Sequence, residues 1–406
     1  MPAIKHPLEG VKVVEIATYA PANMAAGWLA DLGADIIVVE PPSNRALGPE
    51  WDKSDRIRHV ENRNKRGIGL NLREAEGQEV LHKLVKDADI LIEANRPGVA
   101  KRLGFDYETL SKINPRIIVL SSTGYGQTGP MSHLPGHGRV WEATGGWLAS
   151  AGLGLGNMAG DYSGQPWLNP FNLADIKSAP TILATVLAAL YAREKTGEGQ
   201  YCDIALFDNV IAVKDTAKPA FTDDAYYHDR KPRPSWNNYK CSDGKYIAFA
   251  AGEEIQWANL CKQLGLEQYT HDRGNNVSAE KSAEIIEAMS KVLATKTRDE
   301  WFAQLSQVDT EVAPVLSLDE AAAHPQVKLR NMHVEVTDDE GYRQVQYGTP
   351  IKLSKTPPKT KHRRAPKFGE HTESVLQELG YSGDQIKNLV DSGVAISRKY
   401  GSGSGK

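Results

Sequence analysis

Short apolar runs and longer amphipathic ones alternate from residue 10 onward. "VKVVEIA" reads as a strand, "NMAAGWLADLG" as a helix and "ADIIVVE" as a strand, the period switching from near-continuous apolar to helical and back. The pattern recurs in "RGIGLNL", "REAEGQEVLHKLVKDA", "DILIEA", "PGVAKRLGFDYETLSKI", a helix with Pro97 at its start, and "RIIVLSST". Strands buried on both faces and separated by helices predict an α/β, doubly wound layout with a parallel sheet. Residues 131–170 then turn irregular and rich in Gly and Trp, and an apolar helix, "TILATVLAALYAREK", follows and stops at Thr196 and Gly197. Beyond about residue 225, "YKCSDGKYIAFAA" predicts a hairpin turning at Ser242–Gly244, and amphipathic helices are expected around 255–265 and 279–295. The expected organisation is a first large-domain part over 1–215, a small α+β domain over 225–325, a linker and return to the large domain over 326–400, and a flexible tail over 401–406. Within the linker, "KLSKTPPKTKHRRAPKFGEH" is basic and proline-punctuated, so it reads as an extended connection before two short closing helices.

Composition narrows the partners more than the fold. The 406 residues are 40% hydrophobic and 24% charged, with 48 basic against 51 acidic side chains dispersed along the chain. Neither sign dominates, so no global field points to nucleic acid or an anionic membrane. Cys202, Cys241 and Cys261 are odd in number and lack CxxC spacing, which disfavours a disulfide framework or a zinc site, and no metal is expected. No signal peptide opens the chain and no run of about 18 apolar residues marks a membrane span. A cytoplasmic protein is the expectation.

Four local features carry possible chemistry. "GYGQTGP" (124–130) contains GxGxxG after a strand, but Pro130 and "SHLPGHG" follow where a dinucleotide site needs a helix, so it reads as a turn-rich ligand loop. "ENRNKRGIGLNLR" gathers Arg63, Lys65, Arg66 and Arg73, either a solvated edge or a phosphate clamp. His137, among glycines and tryptophans, is either a structural residue or an acid/base, without a second His at metal spacing. In "FNLADIKSAP", Asp175 is a competent helix cap, yet Ser178 would place Pro180 in the first turn, where its missing N–H costs little. The cap therefore fits Ser178 at least as well as Asp175. Asp175 would then stand near the positive end of the helix, kept ionised and free to act as a nucleophile.

Over nearly its whole length the chain resembles the family III CoA-transferases, the group that includes formyl-CoA, crotonobetainyl-CoA and aromatic hydroxy-acid CoA-transferases and α-methylacyl-CoA racemase. The resemblance is carried by "LEGVKVVEIATYAPANMAAGWLADLGADIIVVEPP", "NKRGIGLNL", "ADILIEANRPGVAKRLGFDYETLSKINPRIIVLSSTGYGQTGP", "ATGGW", "LADIKSAPTILATVLAALYAREKTGEGQYCDIALFD" and "GYSGDQIKNLV". It implies a Rossmann-like large domain and a small domain in an interlocked, ring-like homodimer, with no permanently bound cofactor and a coenzyme A thioester as substrate. It implies that Asp175, 25 positions before Gln200, attacks an acyl-CoA to give an aspartyl anhydride and then an aspartyl-CoA thioester, which hands CoA to an incoming carboxylate. Carried over by position, the CoA site takes in Tyr19, Ala20, Lys65, Arg73, Ala94, Asn95, Arg102 and Gly138, with His137 beside the nucleophile.

Departures from the family pattern bear on the substrate. Ala20 stands where formyl-CoA transferase has a catalytic glutamine, Ala94 and Asn95 replace its Asn-Phe pair, and His137 and Gly138 its Tyr-Glu pair; its tetraglycine loop has no counterpart in 233–250. These changes disfavour oxalate and formate and imply a larger organic acid, with Trp141, Trp147 and Trp167 available to wall an apolar pocket. Two alternatives remain open. Gly136, His137 and Asp175 match the racemase's acid/base elements, although "GHGRV" lacks its continuation, and a noncatalytic CoA-binding partner subunit is the other.

Overall fold

The structure, a computed structural model, describes residues 4–17, 20–42, 60–148, 172–212, 232–273, 277–338, 341 and 343–398. The chain divides into two compact units, Met1–Gly145 with Pro170–Ala212 and Lys328–Lys406, and Gly146–Asn169 with Val213–Val327.

The first unit is built on strands β1 (Lys12–Ile16), β2 (Asp35–Glu40), β3 (Arg66–Leu70), β4 (Ile90–Glu93), β5 (Ile118–Thr123) and β6 (Tyr201–Ala205). They lie parallel in the order β3-β2-β1-β4-β5-β6, and the segment Ala395–Ile396 closes the far edge antiparallel to β3. Every residue of β4 and β5 is buried, which explains the apolar runs Ile90 to Ile92 and Ile118 to Leu120; Glu93, Ser121, Ser122 and Thr123 at the carboxyl ends are buried polar residues. Helices α1 (Ala22–Asp31), α2 (Ala75–Lys86), α3 (Val99–Arg102), α4 (Tyr107–Ile113), α5 (Gly138–Thr144), α6 (Leu173–Thr196) and α7 (Leu206–Ala212) accompany the strands. One core joins Val13, Ile36, Ile92 and Leu120 of the sheet to Leu29 of α1 and Ile182 and Val186 of α6. The other joins Val14, Ile68, Leu91 and Val119 to Leu81 of α2, Leu110 of α4 and the chain's last helices. Alternate strand residues thus feed opposite cores, as the two-residue period requires.

Two expectations are corrected here. The single helix expected after Pro97 is two, because Gly104 adopts φ +75°, a backbone state that ends α3, and the Asp106 carboxylate then caps α4 by accepting from the Thr109 N–H at 3.2 Å. The long helix starts at Leu173, not after Ser178. Asp175 lies in its first turn, Ser178 is buried inside it, and Pro180 stands in its interior. Pro180 removes only one ladder donor, the partner of the Ile176 carbonyl, and both residues are exposed, so water can satisfy that oxygen.

Helix α6 is long and apolar enough to span a bilayer by length and composition, but its residues Ala174, Ala179, Ile182, Val186 and Ala189 pack into the core, as in a core helix. It descends past the sheet to feed β6. At its foot Arg193 donates to the Asp89 and Arg116 carbonyls at 3.4 and 3.3 Å and pairs with the Asp89 carboxylate at 2.8 Å, just before β4 and β5 begin. Its first turn must therefore lie over the carboxyl edge of the sheet.

The second unit holds the hairpin of β7 (Trp236–Lys240) and β8 (Tyr246–Ala250), to which β9 (Val312–Pro314) adds antiparallel. Helices α8 (Glu254–Leu264), α9 (Ala279–Leu293) and α10 (Arg298–Leu305) bury Trp257, Leu260, Ile285, Met289 and Trp301 against it. Helices α11 (Leu318–Ala323) and α12 (Pro325–Leu329) follow; from Lys328 the chain belongs to the first unit again, with a three-stranded sheet of β10 (His333–Thr337), β11 (Arg343–Tyr347) and β12 (His362–Arg363). Among the residues around this sheet, 352–361 and 364–371 carry no helix or strand, as read from their prolines. Helices α13 (Thr372–Glu378) and α14 (Gly383–Asp391) precede the closing strand β13 (Ala395–Ile396). Strands β9, β12 and β13 escaped the sequence reading because a run of two or three residues has no period to detect; α10, β10 and β11, of eight, five and five residues, escaped it too.

Candidate active site

Strand order reverses at β1, whose neighbours are β2 on one side and β4 on the other. Ligands of open α/β sheets settle in the crevice at the carboxyl ends of such strands. A cavity of about 390 Å³ opens there, lined by Ile16 after β1, Pro41 and Pro42 after β2, Leu70 to Arg73 after β3, Asn95 after β4, and Val99, Arg102 and Leu103 of the α3 region. Arg73, Asn95 and Arg102 are thereby brought together. Asn95 is fixed by Glu93, whose carboxylate accepts from its backbone N–H at 2.7 Å and its side-chain amide at 3.1 Å. The Glu93 carboxyl is pushed above its usual range by burial. Arg73 and Arg102 are exposed, so their charge faces solvent at the cavity wall.

The basic cluster does not act as a unit. Arg63 forks onto Asp31, with Nη2 and Oδ2 2.5 Å apart, and Arg66 onto Asp35 and both oxygens of Glu378, at 2.7 Å. Lys65 lies at 2% exposure, and its ammonium donates to Glu15 at 2.7 Å, Asn62 at 2.8 Å and the Asn23 carbonyl at 2.9 Å. Burial pulls this ammonium below its usual range, and the Glu15 carboxylate opposes that shift. Of the four cations, Arg73 alone lines the strand-end cavity; the phosphate clamp expected of Lys65 is taken up instead by a buried ion pair.

Asp175 belongs to a second group of residues at the same edge of the sheet. Helix α6 has no side-chain bond at its Asn172 cap; the Asn172 amide donates to the Asp175 carboxylate instead. Gly138, at the start of α5, lies so close to the Asn172 side chain that a Cβ there would collide with it. From the same helix, the Glu142 carboxylate, 2% exposed, accepts from the Ala174 N–H at 3.3 Å. The Asp175 carboxyl is pushed up to about 7, first by burial and then by the Glu142 charge, with the Asn172 bond opposing them. The sequence expectation that the helix end would keep Asp175 strongly acidic is thus corrected: desolvation and a second carboxylate outweigh the dipole.

His137 is the exposed N-cap residue of α5, adjacent to Gly138, and no hydrogen bond joins it to Asp175. Ala20 is half-buried after β1 and Ala94 exposed after β4, while Tyr19, Trp167 and residues 401–406 lie outside the described residues. Trp141 and Trp147 are both 8% exposed. In "GYGQTGP" no helix follows the glycines, and the Gln127 N–H donates to Asp203 at 3.0 Å. Sequence reasoning missed Glu142, Asn172 and Ser122, whose hydroxyl has no partner among the described residues and sits on the β5 face covered by α6. No spacing signal pointed to Glu142, the one acid of α5. Among the described residues, no group of His, Cys, Asp and Glu has the arrangement of a metal site, and the three cysteines are free and buried.

Residues 8–372 match the family described as CoA-transferase family III. The chain is 32% identical over 403 residues to the succinyl-CoA–L-malate CoA-transferase beta subunit of Chloroflexus aurantiacus, covering 94% of this chain and 96% of that one. It is 30% identical over 416 residues to the formyl-CoA:oxalate CoA-transferase of Escherichia coli, with 94% and 97% covered. Its fold is similar to that of a CAIB/BAIF family protein from Brucella suis, with a TM-score of 0.74, 29% identity, and 92% and 100% of the two chains covered.

Proposed function

Because the chain belongs to CoA-transferase family III, whose enzymes move CoA between acyl groups, we propose that Asp175 is the nucleophile of its reaction. The observation that carries this reading is the placement of Asp175 in the first turn of α6, over the sheet edge that also bears the cavity of Arg73, Asn95 and Arg102. Its carboxylate would bond to the thioester carbon while the C–S bond breaks and its electron pair leaves on the CoA sulfur. The thiolate would then attack the aspartyl carbonyl, release the donor acid as carboxylate and leave an aspartyl-CoA thioester. An incoming carboxylate would take the aspartyl group's place by the same two steps. Neither intermediate loses activation, so CoA would pass between acids without ATP. Arg73 and Arg102 would meet the phosphates of the CoA nucleotide, and Asn95 would fix its approach.

Succinyl-CoA and acetyl-CoA are the donors to try first, with medium-sized hydroxy or unsaturated acids as acceptors. The name of the Chloroflexus relative supports a succinyl donor and a hydroxy-acid acceptor. An interlocked homodimer is part of the proposal. Its support is a pair of exposed apolar side chains on α6, Leu187 at 37% and Tyr191 at 68% exposure.

The test traps the purified protein with succinyl-CoA and hydroxylamine and reads the Asp175 peptide by mass spectrometry. An aspartyl hydroxamate is expected. Asp175→Ala should lose it together with transfer, at least ~1,000-fold in kcat, and a variant that keeps its activity would end this reading.

One observation favours a second reading, the racemase. A carboxyl titrating near 7 beside an α5 capped by His137 suits proton transfer α to a thioester. Deuterium incorporation at the α-carbon without acid exchange is its signature.

A further inference from the structure

Glu142 is a carboxylate that the chemistry above does not use, although it lies buried beside the group that does. The first N–H groups of any helix need partners, and α6 has no side-chain cap of its own. Glu142 reaches across from α5 to take the Ala174 N–H at 3.3 Å. This is a capping bond supplied by another helix. It fixes the turn that carries Asp175, and it puts a second carboxylate at the same positive helix end.

The geometry points to Glu142 as a positioning residue that seats the first turn of α6 and, by its charge, sets the pH at which Asp175 becomes a free carboxylate. The inference rests on the reading of Asp175 as nucleophile. The ionisable groups on elements packed against this helix are Arg139 and Glu142 of α5 with His137 at its start, Asp208 of α7, Asp31 of α1, and Tyr201, Cys202 and Asp203 of β6; α6 itself carries Lys177 beside Asp175 and Tyr191, Arg193, Glu194 and Lys195 toward its other end. Asp31 is committed to Arg63, and Glu142 is the neighbour whose charge raises Asp175.

The repulsion has a direction along the reaction. It opposes the free Asp175 carboxylate and vanishes when that oxygen bonds to the acyl carbon, because the aspartyl anhydride is neutral and the negative charge leaves with the CoA sulfur. Glu142 therefore favours the acylated enzyme over the free one. A glutamine, equally able to accept from the Ala174 N–H, would keep the seat and lose the push.

The experiment titrates the full-length protein by carboxyl ¹³C NMR, with Asp175 assigned from the resonance lost in Asp175→Asn. Wild type is expected to titrate Asp175 near 7. Glu142→Gln should lower that midpoint by roughly one unit, Glu142→Leu should lower it as well, and Glu142→Asp should leave it within about 0.3 of wild type. The Leu variant fills the buried volume without a charge, so either neutral variant suffices if the other does not fold. An unmoved midpoint in a folded neutral variant overturns the inference. The hydroxamate trap, run on the same proteins, fails separately: an absent wild-type adduct ends the nucleophile reading whatever the titration shows. Where the adduct forms, the pH midpoint of its formation should fall in Glu142→Gln alongside the NMR midpoint.

Discussion

At the scale of single residues, a carboxyl raised to about 7 makes stability depend on pH. Between about pH 4 and pH 7 the folded chain holds a proton on Asp175 that the unfolded chain has released, so stability falls as pH rises through that window. Asp175→Asn removes the penalty. It should be more stable than wild type at pH 8, by an amount on the order of 2 kcal/mol, read as a higher melting temperature, and should converge with wild type near pH 4 in thermal unfolding across that range. Equal curves at pH 8 would contradict the raised carboxyl. Sequence reasoning reached Asp175 through the resemblance and not through its local chemistry. The helix dipole that it invoked is real, but the burial and the Glu142 charge that oppose it come from α5, 33 positions upstream, and no spacing in "FNLADIKSAP" encodes them.

At the scale of elements, the basic run before β3 shows how a strand's surroundings divide like charges. Glu15 lies near the end of β1, and its buried carboxylate pairs with the Lys65 ammonium at 2.7 Å. Removing one partner of a buried pair leaves an uncompensated charge, a loss of about 3–5 kcal/mol. Lys65→Met is therefore expected to lower the urea midpoint of unfolding strongly, whereas a surface phosphate clamp would leave it almost unchanged. The alternation of strands and helices over the first 120 residues was legible because short apolar runs alternate with amphipathic segments, although the break between α3 and α4 was not. What was not legible were the ends: Pro180 suggested a helix beginning after Ser178, but an exposed turn tolerates the missing N–H and the helix runs back to Leu173.

At the scale of the whole molecule, the strand-end cavity is assembled from positions between Ile16 and Phe105 that share nothing in sequence except their place at the carboxyl end of a strand or in the segment that follows it. The doubly wound pattern located that edge, and the resemblance named Arg73, Asn95 and Arg102 on it. Cα trace and charge together give them a common wall. If this wall holds the CoA nucleotide, Arg73→Ala should raise KM for acyl-CoA about 10-fold with kcat unchanged in steady-state kinetics, since the phosphates lie far from the reacting carbonyl. A fall in kcat alone would place Arg73 elsewhere in the reaction.

The pairing of β13 with β3 carries a consequence for how the protein is made. Gly69 and Leu70 meet Val394 to Ile396, and the Thr372 hydroxyl joins them by donating to the Ile396 carbonyl at 2.6 Å and accepting from the Gly69 N–H at 3.1 Å. A ribosome releases β3 early and its edge partner only after residue 396 has been added. Throughout the intervening synthesis, β3 keeps an open row of backbone donors and acceptors, the kind of template on which nascent chains pair with one another. Crowded translation of this message should thus place its demand for chaperones before the last turn of the last helix has left the exit tunnel.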